Sequence, residues 1–262
     1  TRQRFENKCE QEVIPELATD EWLDRCSAPL GMNDNGDLFD LNINLERCFR
    51  KIGETNFRNL YHQIIYIRPT EELRASLSKH FNVISEDDGV LAYGYIDDQA
   101  GFSFRILCSA NIKSNKLSRG KFISDVYIII RRGQLNPCEY IDMDYCDLDT
   151  ADFDKEIKGI KDIYTCESEQ TEAMRRFTFL DEVRSIDYPD DIQVILVKEG
   201  LNPEQVWAKC WAFTEKELFA KMLNEPNQDF GVHIGSVIGF SPMEHEGDTL
   251  CVYTGRWLEE QE

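Results

Sequence analysis

After Ile192 the chain breaks into short apolar or alternating segments, each closed by turn residues, and that rhythm leaves few folds open. Ile192 to Val197 reads as a strand, and Glu199-Gly200-Leu201-Asn202-Pro203 turns the chain. Val206 to Phe213 alternates, with Val206, Ala208, Cys210 and Ala212 on one face and Trp207, Trp211 and Phe213 on the other. Leu218 to Leu223, Ser236 to Phe240 and Leu250 to Tyr253 supply further short strands. Strands of this length and spacing predict a small barrel or a strongly bent sheet.

The preceding residues read differently. Arg2 to Glu12 is charged and free of breakers until Pro15, and Thr19 or Asp20 can cap a second short helix before Pro29, so N-terminal helices are expected. Gly31 to Gly36 is turn-rich, but its residues do not place the ligands of a calcium loop. Gln63 to Ile67 predicts a strand, and Thr70 caps a helix running from Glu71 to His80. Val90 to Ile96 and Phe102 to Ala110 predict a hairpin, Lys113 to Lys121 a small basic loop, and Phe122 to Ile130 a central strand. Helices are expected within Asp152 to Tyr164 and Thr171 to Val183. The whole predicts an α+β fold, with N-terminal helices and a mixed α/β sandwich over 1–185 and a small β-rich, barrel-like module over 186–262.

Charge narrows the partners. The 262 residues carry 29 basic against 49 acidic side chains, a formal net charge of −20. Such a surface repels phosphate backbones, so no direct nucleic-acid binding is expected; it suits solubility first, and otherwise a basic protein partner or mimicry of nucleic acid by carboxylates. No segment approaches the ~18–20 apolar residues that span a bilayer, and the first residues lack a signal-peptide core, so no membrane and a cytoplasmic location are expected. Nine scattered cysteines with no CxxC pair predict free thiols, neither a disulfide framework nor a four-thiolate zinc site. The acids from Glu139 to Asp154 read as a solvated linker or exposed face; Asp142, Asp144, Asp147 and Asp149 as a cation site is the weaker alternative.

Three stretches in order, Glu204 to Trp207, Lys221 to Pro226 and Gln228 to Ile238, resemble a bacterial family described only as a domain of unknown function. Its pattern is a tryptophan-bearing strand, a leucine–asparagine–proline strand end and a histidine–x–glycine–aspartate-type turn. The resemblance covers about the last 70 residues and departs at Ser236, where the family usually has aspartate. It implies a small β-rich fold and a bacterial origin, and assigns no activity.

The residues in these stretches carry the candidate site: Trp207, Asn224, Glu225, Asp229 and His233. A histidine among carboxylates serves as general base or metal ligand. The competing and favoured reading is structural: Asn224 and Asp229 bond loop backbone, His233 satisfies a neighbour, and Trp207 and Phe230 anchor the core. No phosphate-cradling loop, GxSxG elbow or HExxH helix is present, and no cofactor or metal signature. The expected function is therefore a non-catalytic protein-binding module, an acidic inhibitor or immunity-type protein for a basic partner. The alternative is a metal-dependent or hydrolytic enzyme using the Asn224–His233 loop.

Overall fold

The computed structural model describes residues 30–32, 38–40, 44–78, 87–122, 127–166 and 168–258. The expected helices before Pro29 and most of the Gly31–Gly36 turn lie outside them. The described residues fall into two compact units that interleave along the chain: Thr1–Thr55, His62–Gly94 and Phe104–Ile160 form one, and Asn56–Tyr61, Tyr95–Ser103 and Lys161–Glu262 the other. Strands hold far more of the described residues than helices do, so the α+β expectation holds only in that helices accompany them.

In the first unit, β1 (Leu30–Met32) pairs with β2 (Leu38–Asp40). The larger sheet runs in the order β3 (Arg50–Lys51), β9 (Glu139–Asp142), β4 (Ile64–Arg68), β5 (Gly89–Asp97), β6 (Gly101–Lys113), β7 (Lys116–Phe122), with β8 (Ile129–Arg131) also on β6. The tip of the β5–β6 hairpin belongs to the second unit. Nearly every residue of β5 and the first ten of β6 are buried, the continuous pattern of strands covered on both faces. Helix α1 (Glu71–Ser78) follows β4 with acids in its first turn, and Thr70 Oγ1 accepts from the Leu73 amide at 3.3 Å.

The single central strand expected over Phe122 to Ile130 is not found: β7 ends at Phe122, Tyr127 and Ile128 belong to no strand, β8 begins at Ile129, and 123–126 lie outside the described residues. Two further expectations are overturned in this unit. Lys113 to Lys121 is no loop: Ser114 and Asn115 both take positive φ (52° and 61°), which closes a two-residue turn between paired Lys113 and Lys116 and starts β7 at once. The acidic run is no linker either. Its first part is β9, an interior strand of the sheet, with Tyr140 and Ile141 buried between acids. Asp142 and Asp149 accept backbone amides of Asp144 and Ala151, so these carboxylates cap turns. Helix α2 (Arg132–Leu135) precedes β9, and α3 (Asp154–Ile163) occupies the helix expected after it, with Ile160 buried.

The second unit is the barrel. Helix α4 (Glu169–Met174) ends early and a 3-10 turn (Thr178–Val183) replaces the rest of the expected Thr171–Val183 helix, across the poor helix formers Phe177-Thr178-Phe179. Then β10 (Asp191–Leu196), β11 (Glu204–Phe213), β12 (Leu218–Met222), β13 (Val237–His245) and β14 (Asp248–Leu258) form a closed meander. Four successive antiparallel pairings leave the first and last strands parallel, and they meet at Ile195 and Val252. Closure removes both sheet edges. Ile192, Val194, Leu196, Val206, Ala208 and Phe240, among others, fill the interior, and Met174, Leu180 and Phe230 pack onto it.

Candidate functional site

Strand β11 positions the site by its period of two. Val206, Ala208 and Cys210 are at most 1% exposed inside the barrel, while Trp207 and Trp211 stand outside at 37% and 46%. Trp207 is thus no core anchor, because its parity sets it opposite Val206; Phe230 is one. Strand β10 alternates likewise, burying Ile192, Val194 and Leu196 and turning Asp191, Gln193 and Ile195 outward. The antiparallel register sets Gln193 beside Trp207 and Asp191 beside Lys209.

A depression of about 360 Å³ lies on this face, lined by Ser185, Tyr188, Asp191, Gln205, Trp207, Leu223 and Asn224. Burial pushes the Asp191 carboxyl up to about 6; Lys209 pulls it back, and the charges of Asp190 and Asp98 add to the rise. The Lys209 Nζ hydrogen-bonds elsewhere, to the carboxylate of Asp98 at 2.6 Å and the Asp98 carbonyl at 3.1 Å. Asp190 is occupied by Arg175 in a buried bidentate pair, at 2.9 and 2.7 Å.

The loop holding the other sequence candidates is tied mainly to itself. Asn224 Oδ1 accepts from the Trp207 amide at 2.7 Å and so fixes the rim of the depression. The His233 imidazole donates from Nδ1 to Glu225 Oε1 at 2.6 Å, and Glu225 Oε2 accepts the Ile234 amide at 2.8 Å. That imidazole and backbone amide lower the Glu225 pKa, and the Glu225 hydrogen bond and charge raise that of His233. Asp229 Oδ1 accepts the Gly231 amide and its carbonyl accepts Lys198 Nζ. Ser236 Oγ accepts the His233 amide at 3.0 Å. Glu204, which the sequence reading passed over, accepts the amides of both Asn227 and Gln228.

Of the five sequence candidates, Trp207 and Asn224 line the depression, whereas Glu225 and His233 pair on the open surface with side chains 52% and 71% exposed. Asp229 lies near enough to raise the His233 pKa but shares no hydrogen bond with it. Among the described residues no three His, Cys, Asp or Glu side chains gather as metal ligands, in this loop or along the acidic run. Tyr188 and Asp191 were missed; the alternation of β10 marks Asp191 as outward, but only the strand register brings it into the depression with Trp207.

No family model matches the chain, and neither does any curated protein or solved structure. The class defined by the fold is a small closed β-barrel presenting an aromatic, carboxylate-bearing depression. Among the described residues no helix is long and apolar enough to cross a membrane, and none of the seven described cysteines is in a disulfide.

Proposed function

We propose that the chain is a non-catalytic protein-binding module that receives a basic protein partner on the outer face of its barrel, as an acidic inhibitor or immunity-type protein does. One observation carries the reading: Trp207 and Trp211 are exposed on one strand face beside a half-buried carboxylate, in a chain of net charge −20. Exposed tryptophans are a common anchor of interfaces, and the surrounding charge selects and steers a cationic partner. The free thiols suit a reducing cytoplasm. The test is binding of decapeptides carrying arginine or lysine in a neutral background, compared with all-neutral ones, at low and high salt. Salt-sensitive binding of the cationic set that disappears in Trp207→Ala/Trp211→Ala supports the module. Binding indifferent to both tryptophans removes it.

The His233–Glu225 contact favours a second reading, an enzyme using the Asn224–His233 loop. A carboxylate that raises and orients an imidazole is a general-base arrangement. Here His233→Ala should abolish any turnover or metal uptake while the barrel stays folded, and unchanged uptake would end that reading.

A further inference from the structure

The depression has a carboxylate in it that no described donor bonds. Asp191 is half-buried, and its carboxylate makes no hydrogen bond to any described residue. Its cross-strand neighbour Lys209 is held by Asp98, and its chain neighbour Asp190 by Arg175. Neither supplies the donor that a desolvated carboxylate needs. Among the described residues none of the other lining side chains donates to it either. Gln205 directs one amide N–H to Gln193, and Ser185 Oγ accepts the Tyr188 amide. Tyr188 and Trp207 present half-exposed rings, 42% and 37%. Lys221 lies 5.7 Å from the Trp211 ring centroid, but among the described residues no cation covers Trp207.

We infer that the depression is a receptor for one cationic side chain of the partner, an arginine, whose guanidinium pairs with Asp191 and stacks on Trp207 and Tyr188. The inference rests on the protein-binding reading and deepens it. Arginine fits better than lysine because the planar guanidinium offers paired donors to a carboxylate while its face lies on an aromatic ring; an ammonium is a point charge and more strongly hydrated. A volume of about 360 Å³ leaves room for the head group and part of its stem.

The receptor is also pH-dependent. The charged groups facing Asp191 are Lys209, Asp190 and Asp98, and the balance of burial and these charges holds its carboxyl at about 6. If only the ionised carboxylate binds, affinity falls about tenfold between pH 7 and pH 5, as a single titrating group dictates.

The experiment uses the full chain and a neutral-background peptide with one arginine, beside the same peptide with citrulline, which keeps the shape and loses the charge. Binding is followed through the Trp207 indole resonance at pH 7 and pH 5. The expected result is at least tenfold preference for arginine at pH 7, most of it gone at pH 5, and abolished at both pH values in Asp191→Asn. Equal binding of the two peptides, or an arginine preference untouched by Asp191→Asn, overturns the inference. If Asp191→Asn still binds the cationic decapeptides fully while Trp207→Ala/Trp211→Ala does not, the receptor falls and the protein-binding module stands. Should neither variant affect the decapeptides, both fall together.

Discussion

Replacing Asp190 by alanine would strand Arg175 inside the second unit, and the cost can be worked from the contacts. The two side chains are 6% and 5% exposed and meet through two parallel hydrogen bonds. Burial opposes the guanidinium charge, and the hydrogen bonds and charge of Asp190 outweigh it, so Arg175 stays ionised. Breaking a buried pair by removing one partner costs about 3–5 kcal/mol, because the other charge remains desolvated. Arg175 would still reach Glu172 at 2.5 Å and Tyr61 Oη at 2.6 Å, which argues for the lower end, about 3 kcal/mol. With a urea dependence of about 2 kcal/mol/M, the midpoint of the barrel unit should fall by about 1.5 M. Tryptophan fluorescence reports chiefly that unit, since three of the four tryptophans, Trp207, Trp211 and Trp257, lie in it. The double replacement Arg175→Met/Asp190→Leu removes both charges and should cost much less than Asp190→Ala alone. A loss below about 1 kcal/mol for Asp190→Ala, or a double replacement worse than the single, would refute the claim that this pair is a desolvated clasp.

Asp191→Asn should stabilise the barrel at neutral pH. A carboxyl raised by burial to about 6 in the folded chain favours folding in its protonated form, so that contribution is complete below the unfolded value near 4 and lost as pH rises through about 6. Discounted for partial exposure, the difference amounts to about 1–2 kcal/mol at pH 7 and vanishes near pH 4, which paired urea titrations of the two proteins would detect; a difference independent of pH sinks it. Gly101→Ala should destabilise the same unit by about 2 kcal/mol, because Gly101 has φ +77° and a Cβ there would overlap the carbonyl oxygen of Asp187. Thermal or urea unfolding within about 0.5 kcal/mol of the parent would show that the hairpin tip yields.

The barrel was legible because its strands advertise themselves. Val206, Ala208 and Cys210 alternate with Trp207 and Trp211, and an outward tryptophan is as regular a part of that pattern as an inward valine. What the alternation does not carry is which function an outward position has, so Trp207 was read both as core anchor and as binding residue. The first unit was less legible for a related reason. In β9 the pattern Glu139-Tyr140-Ile141-Asp142 looks acidic by count, yet its two middle residues are interior, Glu139 pairs with Arg68 and Asp142 caps a turn. Density of charge hides a strand when the buried part is only two residues long. The turn at Ser114–Asn115 was hidden differently: two non-glycine residues at positive φ give no composition signal as strong as Asn-Gly.

The site illustrates a deeper division between what sequence separation and what register bring together. Asn224 to His233 looked like a site because four polar residues lie within ten positions, and that closeness mostly reflects a loop fastening its own backbone: Glu225 to Ile234, Asp229 to Gly231, Ser236 to His233. Asp191 and Trp207 are sixteen positions apart on two strands whose pairing turns both outward onto one face. Local polar clusters are satisfied cheaply by turns, because a short side chain always finds a nearby amide. A carboxylate on a strand face has no such neighbour; the backbone groups around it are spent on the ladder. It keeps its unmet demand until something from outside meets it. In a barrel built from alternating strands, the groups free to bind are therefore those that register assembles, and Asp191 beside Trp207 is the pair to test first.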